Sequence, residues 1–521
     1  MRPPCDDAVL RSASGDVPCA QQAEPWILAA TILGSSMAFI DSTVVNVALP
    51  ALQSSFRATV VDVQWVVESY GLFLGALILA GGSTGDLFGR RRIFLTGVTV
   101  FAIASAGCGF AQSVEQLIVA RAVQGIGAAF LVPGSLAIIS ASFPAQHRGR
   151  AIGTWSGFTA ITSAFGPVLG GWLIEHASWR WVFFINLPLA AMVILISLWR
   201  VPESRSAAAK QLDILGALIV TIGLGGLVYG LIESARLGWQ NPWVWGSMLL
   251  AVACLTCFPF VEARATSPMV PLNLFRSRTF TGANLLTLWL YSAVGIFFFI
   301  FPMNLIQVQG YSATAAGAAA LPLILLMFLL SRWSGGLVTR YGPKVPLIVG
   351  PLIAASGFAL FAVPTVGGTY WRTFFPAFLV LGFGMSVSVA PLTTTVMGAV
   401  DQDRAGAASG INNAVARVAG LLAVAVFGIV MVNAFAIDLE HELSTLGVSQ
   451  QVRSEALSNR TKLAAMDIPA KDVDQKIASE VKAAVSNAFI FAFRIVAYCC
   501  ASLAVLSAAT AALLVDAKSS P

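Results

Sequence analysis

The 521-residue chain reads as an all-α membrane protein of fourteen transmembrane helices, arranged as six, then two inserted, then six. Three observations predict this. Its residues are 57% hydrophobic and 11% charged, against roughly 25% charged in an average soluble domain. Fourteen apolar stretches approach the ~20 residues that cross the hydrocarbon. Segments rich in glycine and arginine also recur at offsets of 253 to 257 residues.

The first six spans fall at 26–48, 63–83, 93–111, 115–140, 150–174 and 181–200. Two more follow at 213–233 and 243–262, and the last six at 280–305, 314–335, 344–363, 372–397, 406–434 and 487–514. The predicted organisation is a tail (1–25), a six-helix bundle (26–200), an inserted pair with its loops (201–279), a second bundle (280–514) and a short tail (515–521).

Basic residues orient the chain. One set of loops holds Arg90–Arg92, Arg148, Arg150, Arg200, Arg205, Lys210, Arg264, Arg276, Arg278, Arg340, Lys344 and Arg404. The other set holds Arg57, Arg180, Arg236 and Arg372. Cationic loops stay in the cytoplasm, so both termini are expected there, with the protein multi-pass in the cytoplasmic (inner) membrane. The net charge of +6 is spent on this asymmetry, and no nucleic-acid partner is expected. Residues 435–486 form a polar, mixed-charge outer loop with helix-like stretches such as Asp472–Val485. It is open whether this is a solvated extension, a docking surface for an envelope partner, or a cap over an exit.

Several classes are excluded. Cys108, Cys254, Cys257, Cys499 and Cys500 lie in apolar spans, and Cys5 and Cys19 in the tail, so they predict packing and no disulfide framework. The Cys254-x-x-Cys257 spacing lacks polar company. His147, His176 and His441 fall in loops, and no metal site is expected. The polar start, with Asp6, Asp7 and Asp16, has no basic n-region of a signal peptide. No Gly-x4-Gly-Lys-Ser/Thr loop occurs, so ATP is not the fuel.

The most informative segment is Gly82-Ser-Thr-Gly85-Asp86-Leu-Phe-Gly89-Arg90-Arg91-Arg92, read as a tight loop between the second and third spans. The repeat brings back Gly335…Gly342-Pro343-Lys344, with Thr339 at the position of Asp86. The fourth span carries Arg121-Ala-Val-Gln-Gly125-Ile-Gly127, echoed by Gly382-Phe-Gly384. The fifth carries Gly166-Pro167-Val-Leu-Gly170-Gly171. The first ends Asp41-Ser-Thr43-Val-Val-Asn46-Val-Ala-Leu-Pro50, and Ser178-Trp179-Arg180-Trp181 leads to Asn186-Leu-Pro188. Together these segments resemble the major facilitator superfamily, in its fourteen-helix drug:proton antiporter branch, over essentially residues 26–514. The resemblance implies that Gly82–Arg92 is the signature loop, that the Arg121 segment couples protons, and that Gly166–Gly171 is the antiporter motif. One departure is Thr162, where that motif usually begins with glycine.

Helix boundaries put Asp41, Glu68 and Arg121 in one layer, some ~7–12 Å below the outer surface at ~1.5 Å per residue. Buried ionisable groups are expensive in lipid and pair or face water. Rearranging Arg121 against two carboxylates changes their hold on a proton, which a hydrophobic cation could displace. Each of the three is open to a structural role as well. Proline and glycines in the fifth span predict a kink and close helix packing. Asp86, with Gly82, Gly89 and Arg90–Arg92, is expected to cap or dock a helix end and so gate one face.

Asn46, Gln124, Asn412, Asn413 and Arg417 are candidate cavity residues; Arg417 and Arg494 are open between function and structure. Asp213 and Glu233 are expected at head groups. Trp289, Tyr291, Phe297–Phe299 and Phe301 either line a lipophilic cavity or pack. The function expected is a secondary transporter, not an enzyme. Set in the lipid bilayer and needing no cofactor, it exports lipophilic, often cationic drugs or toxic compounds in exchange for protons by alternating access. A dedicated exporter of one metabolite or antibiotic is the alternative, and a non-transporting sensor or scaffold a more distant one.

Overall fold

Apolar length dictates the elements, and polar residues set their ends. The computed structural model describes residues 23–143, 145–205, 211–266, 268–400, 405–446, 448–466 and 475–517. Cys5, Cys19, the N-terminal acids, Lys210 and Arg404 lie outside the described residues, as do the side chains of His147, Arg148 and Arg150. Among the described residues there is no strand.

The first six helices are α1 (Glu24–Phe56), α2 (Val60–Phe88), α3 (Arg90–Phe110), α4 (Val114–Ser142), α5 (Ala145–His176) and α6 (Trp181–Arg200). The inserted pair is α7 (Ile214–Leu237) and α8 (Pro242–Arg264). Then come α9 (Arg278–Met303), α10 (Ala313–Ser331), α11 (Lys344–Leu360), α12 (Tyr370–Gly398), α13 (Ala405–Thr445) and α14 (Gln475–Leu514). Thirteen are long and apolar enough to cross a bilayer, and α11, at 17 residues, is the shorter fourteenth. Every expected span therefore has its helix.

Starts are capped locally. Asp62 accepts from the Thr59 amide at 2.8 Å while Thr59 Oγ1 accepts from the Asp62 amide, a reciprocal pair that opens α2. Ser113, Ser277 and Ser312 accept from Gln116, Phe280 and Ala315 amides at the starts of α4, α9 and α10. Large side chains such as Leu513 (77% exposed) and Trp243 (75%) face outward, the surface expected of a chain solvated by lipid.

Three sequence expectations change. The segment from Gly82 is not a loop: α2 stays helical to Phe88, and the turn is Gly89 alone, at φ +115°. Its neighbouring Arg90 pairs with Asp86 one helical turn back, which continues the helical register across the break. His176 ends α5 and His441 lies within α13, so neither is in a loop. The outer segment is also shorter than 435–486, because α13 and α14 continue into it as helices of 41 and 40 residues. Between them, Gln450–Ser458 and the 3₁₀ turn Arg460–Ala465 fold back, burying Leu443, Ala456, Leu463 and Met466. Asp472 is outside the described residues.

The chain divides into two compact units. The first holds α1 up to Val45, Ser69–Gly225 and Leu250–Leu272. In it α3 packs along α4 and α6. The second holds Asn46–Glu68, Gly226–Leu249 and Asn273–Pro521. There α9 packs on α13 and α14, and α12 on α10 and α11. The second unit also anchors the start of α2, where the Gln64 amide donates to the Val424 carbonyl of α13 at 3.1 Å.

Candidate functional site: a buried ion pair

In the first unit, α1 and α4 bring Asp41 and Arg121 into direct contact, at 0% and 1% side-chain exposure. Gln124 and Asn186 surround the pair with further hydrogen bonds. Gln124, one turn along α4, accepts from Arg121 Nη1 at 2.8 Å and donates to Asp41 Oδ1 at 2.8 Å. Asn186, at the start of the main run of α6, donates to Asp41 Oδ1 at 3.3 Å and to Ser105 Oγ at 3.0 Å. Ser105 in α3 donates to the Phe183 carbonyl at 2.8 Å. The Arg121 guanidinium stands 4.2 Å over the Tyr70 ring, a cation–π contact. A buried charge pair is tolerable only when hydrogen bonds surround it.

Of the three residues expected in one layer, the structure brings Asp41 and Arg121 together, and α1 runs on to Phe56, which sets Asp41 deeper in its helix than 48 as an end would. Gln124 belongs to this network and not to a separate cavity. Glu68 falls in the second unit, buried, with Oε2 lacking a hydrogen-bond partner.

Gly166 and Gly170 have a visible purpose. A Cβ on Gly166 would meet Thr43 Oγ1 at 2.3 Å, and one on Gly170 would meet Val44 Cγ2 at 2.0 Å, so α5 lies directly on α1 next to Asp41. Pro167 lies inside the same continuous helix. Gly171 is buried beside them.

At Gly89 the capping carboxylate is not Asp86. Glu203, just past α6, accepts from the backbone amides of Arg91 and Arg92, each at 3.1 Å. It also leaves no space for a side chain at Gly89, where a Cβ would fall 2.8 Å from its carboxyl carbon. Arg91 donates to the Val201 carbonyl at 2.9 Å. Asp86 instead pairs with Arg90 at 2.8 Å, partly exposed.

In the second unit, Asn412 donates to Asn284 at 3.1 Å and to Thr287 at 2.7 Å, a polar cluster of α9 and α13. Asn413 is exposed and bonds its own helix; Arg417 and Asn46 are half-buried. The aromatics expected either to line a cavity or to pack do the latter at Phe297, Phe299 and Phe301, all within 2% of full burial. Phe297 meets Phe361 at 4.5 Å and Phe378 at 6.4 Å between ring centroids. Neither bordering acid of α7 is left to head groups: Glu233 is buried and accepts from Trp65 at 2.9 Å and from Arg236. Asp213 reaches Gly216 on its own helix.

The profile of the Major Facilitator Superfamily matches residues 31–424. The chain belongs to that superfamily. It is 35% identical to the multidrug resistance protein Stp of Mycobacterium tuberculosis, over 80% of this chain and 77% of that one. It is 34% identical to the tetracenomycin C resistance and export protein of Streptomyces glaucescens, over 78% and 76% of the two chains. The puromycin resistance protein of Streptomyces alboniger is also 34% identical, over 79% and 82%. Among solved structures, a bacterial homologue of the lysosomal transporter Spinster matches with TM-score 0.63 over 95% of this chain and 97% of that one, at 17% identity. The xylose transporter XylE of E. coli matches with TM-score 0.54 over 94% and 96%, at 14% identity. The fold is therefore that of this superfamily, in a multi-pass membrane protein.

Sequence reasoning missed Asn186 as a network member, Ser105, Tyr70 and Glu203. Asn186 had a signal, since it stood within a quoted motif. Glu203 had none, being 111 residues from Arg92.

Proposed function

We propose that this superfamily member exports lipophilic compounds, cations among them, in exchange for protons by alternating access. The observation that carries it is the Asp41–Arg121 pair, fully buried and held by Gln124 and Asn186. A permanent structural ion pair gains little over apolar packing, whereas a pair beside a helix that can slide on glycines can trade partners. In this mechanism a proton on Asp41 neutralises the carboxylate and frees Arg121. Loss of that proton restores the pair, and α5 moves against α1 through Gly166 and Gly170. Glu68, with an unpaired buried oxygen, is a second stop for the proton. Relatives named for multidrug, tetracenomycin C and puromycin resistance support a drug as cargo. Lys and Arg in the loops hold both termini in the cytoplasm. Substrate and proton suffice without a cofactor, and no bond of the cargo is broken.

The test is proton-gradient-driven efflux of a fluorescent lipophilic cation from energised cells, comparing the native chain with Asp41→Asn and Arg121→Ala. Efflux by the native chain, lost in both variants, is expected. Efflux that persists in both would move coupling elsewhere.

A second reading is favoured by two relatives each named for a single antibiotic: export of one host metabolite. Competition by a panel of unrelated cations separates the two, since a dedicated exporter is inhibited by one compound class.

A further inference from the structure

The inserted helices carry two acids that the transport mechanism does not use. Asp213 precedes α7, and its Oδ1 accepts from the Gly216 amide at 2.8 Å, as an N-cap does. Glu262 lies in the last turn of α8, 2% exposed, and its Oε2 accepts from the Val270 amide at 3.2 Å. One oxygen on each is left over: Asp213 Oδ2 and Glu262 Oε1 are buried without any donor. These two orphans converge over Gly216, where an added Cβ would lie 2.5 Å from the first and 2.9 Å from the second.

Two carboxylate oxygens facing each other in a dry site repel, and a single hydrogen between them turns repulsion into a strong charge-assisted bond. Among the described residues no side chain supplies that hydrogen. Arg264 and Cys257 are the other titratable groups lining the adjoining groove of about 540 Å³, and neither reaches the two oxygens.

We propose that Asp213 Oδ2 and Glu262 Oε1 hold one proton between them, a proton-binding site separate from Asp41 and Arg121. The groove, lined also by Gln211 and Thr266, gives the proton a route to water. The bound proton fastens three pieces of chain together: the start of α7, the end of α8 and the segment running on to Val270. When it departs to water, two negative charges face each other and the fastening loosens. The pair titrates as a unit, and its contribution to stability is present at low pH and lost as pH rises and the proton leaves.

The test uses the full chain in lipid nanodiscs, from about pH 5 to about pH 9, a range that brackets carboxyl and histidine titration. Infrared difference spectra read neutral carboxyl groups, and thermal unfolding is followed in parallel, for the native chain, Asp213→Asn and Glu262→Gln. In either variant the new amide supplies the missing hydrogen permanently. The native chain should lose a neutral-carboxyl band on alkalinisation, and that band should be absent from both variants. The native Tm should fall with rising pH more steeply than that of Glu262→Gln. A native chain without such a band, a band that survives both substitutions, or Tm–pH curves of equal slope would overturn the site. No readout depends on transport, so a failure here leaves the exporter mechanism standing.

Discussion

At matching offsets along the sequence, two regions of the chain carry opposite chemistry. Phe297 stands 256 residues after Asp41, Phe361 stands 256 after Ser105, and Phe378 stands 257 after Arg121, the offsets at which the repeat recurs. Where the first region has an ion pair with Ser105 and Asn186 beside it, the second has phenylalanines packed edge to face, with Phe361 and Phe378 at 4.8 Å. The contrast extends to α5 and α13: 256 residues after Gly166 and Gly170 stand Leu422 and Val426. One fold thus supports either filling. The ion pair is not required to hold six helices together, and its retention in one repeat calls for a use.

The comparison can be broken at several points. The largest effect is expected from Arg121→Leu, which strands the Asp41 carboxylate and should cost about 3–5 kcal/mol as well as abolish efflux. Adding Asp41→Leu should restore most of the lost stability, because an apolar pair resembles what the second repeat already uses; efflux should stay absent. A double variant as unstable as the single one in thermal unfolding would show that the network cannot be exchanged for apolar packing.

Gly170→Val imports the second repeat's residue into α5. With Val44 Cγ2 2.0 Å from the new Cβ, overpacking should cost about 1–3 kcal/mol, and efflux should fall further than stability alone explains. Retained efflux at the native rate would remove α5 from the moving parts.

A smaller loss, about 1 kcal/mol, is expected for Glu203→Ala, by analogy with a lost helix cap. Asp86→Asn, which removes only a partly exposed pair, should change the unfolding midpoint less than Glu203→Ala does. The reverse order would return the capping role to Asp86. Ser105→Ala should cost a similar amount, about 0.5–1.5 kcal/mol for its hydrogen bonds. It should leave efflux measurable but move its pH profile, since Asn186 then loses one of the groups that aim it at Asp41. An unmoved profile would confine Ser105 to packing.

Much of this was legible in the sequence, for identifiable reasons. Transmembrane helices announce themselves by apolar length, so all fourteen were found. Asp41 and Arg121 were candidates for one level because the rise per residue is fixed. What depth cannot give is azimuth: Gln124 was placed apart from the pair it bridges, and Glu68 was grouped with it although the contacts assign it to the other unit. The Gly82–Phe88 segment was misjudged because glycine and serine signal a turn in water, yet in a membrane protein they are tolerated within a helix, and α2 stays helical to Phe88. Glu203 was invisible because a cap supplied by a residue 111 positions away leaves no local pattern. Asp213 was read singly, and its partner Glu262 lies on the other inserted helix.

The lengths of α13 and α14 have a practical side. At about 1.5 Å per residue, a 41-residue helix spans about 60 Å, twice the hydrocarbon thickness. The surplus carries the folded segment around Gln450–Ser458, stitched to α13 by the Arg453–Glu440 contact. An antibody fragment raised against that segment would be rigidly coupled to two membrane helices. It would serve as an alignment mark for electron microscopy and, when labelled, as a lever arm magnifying any tilt of those helices during turnover.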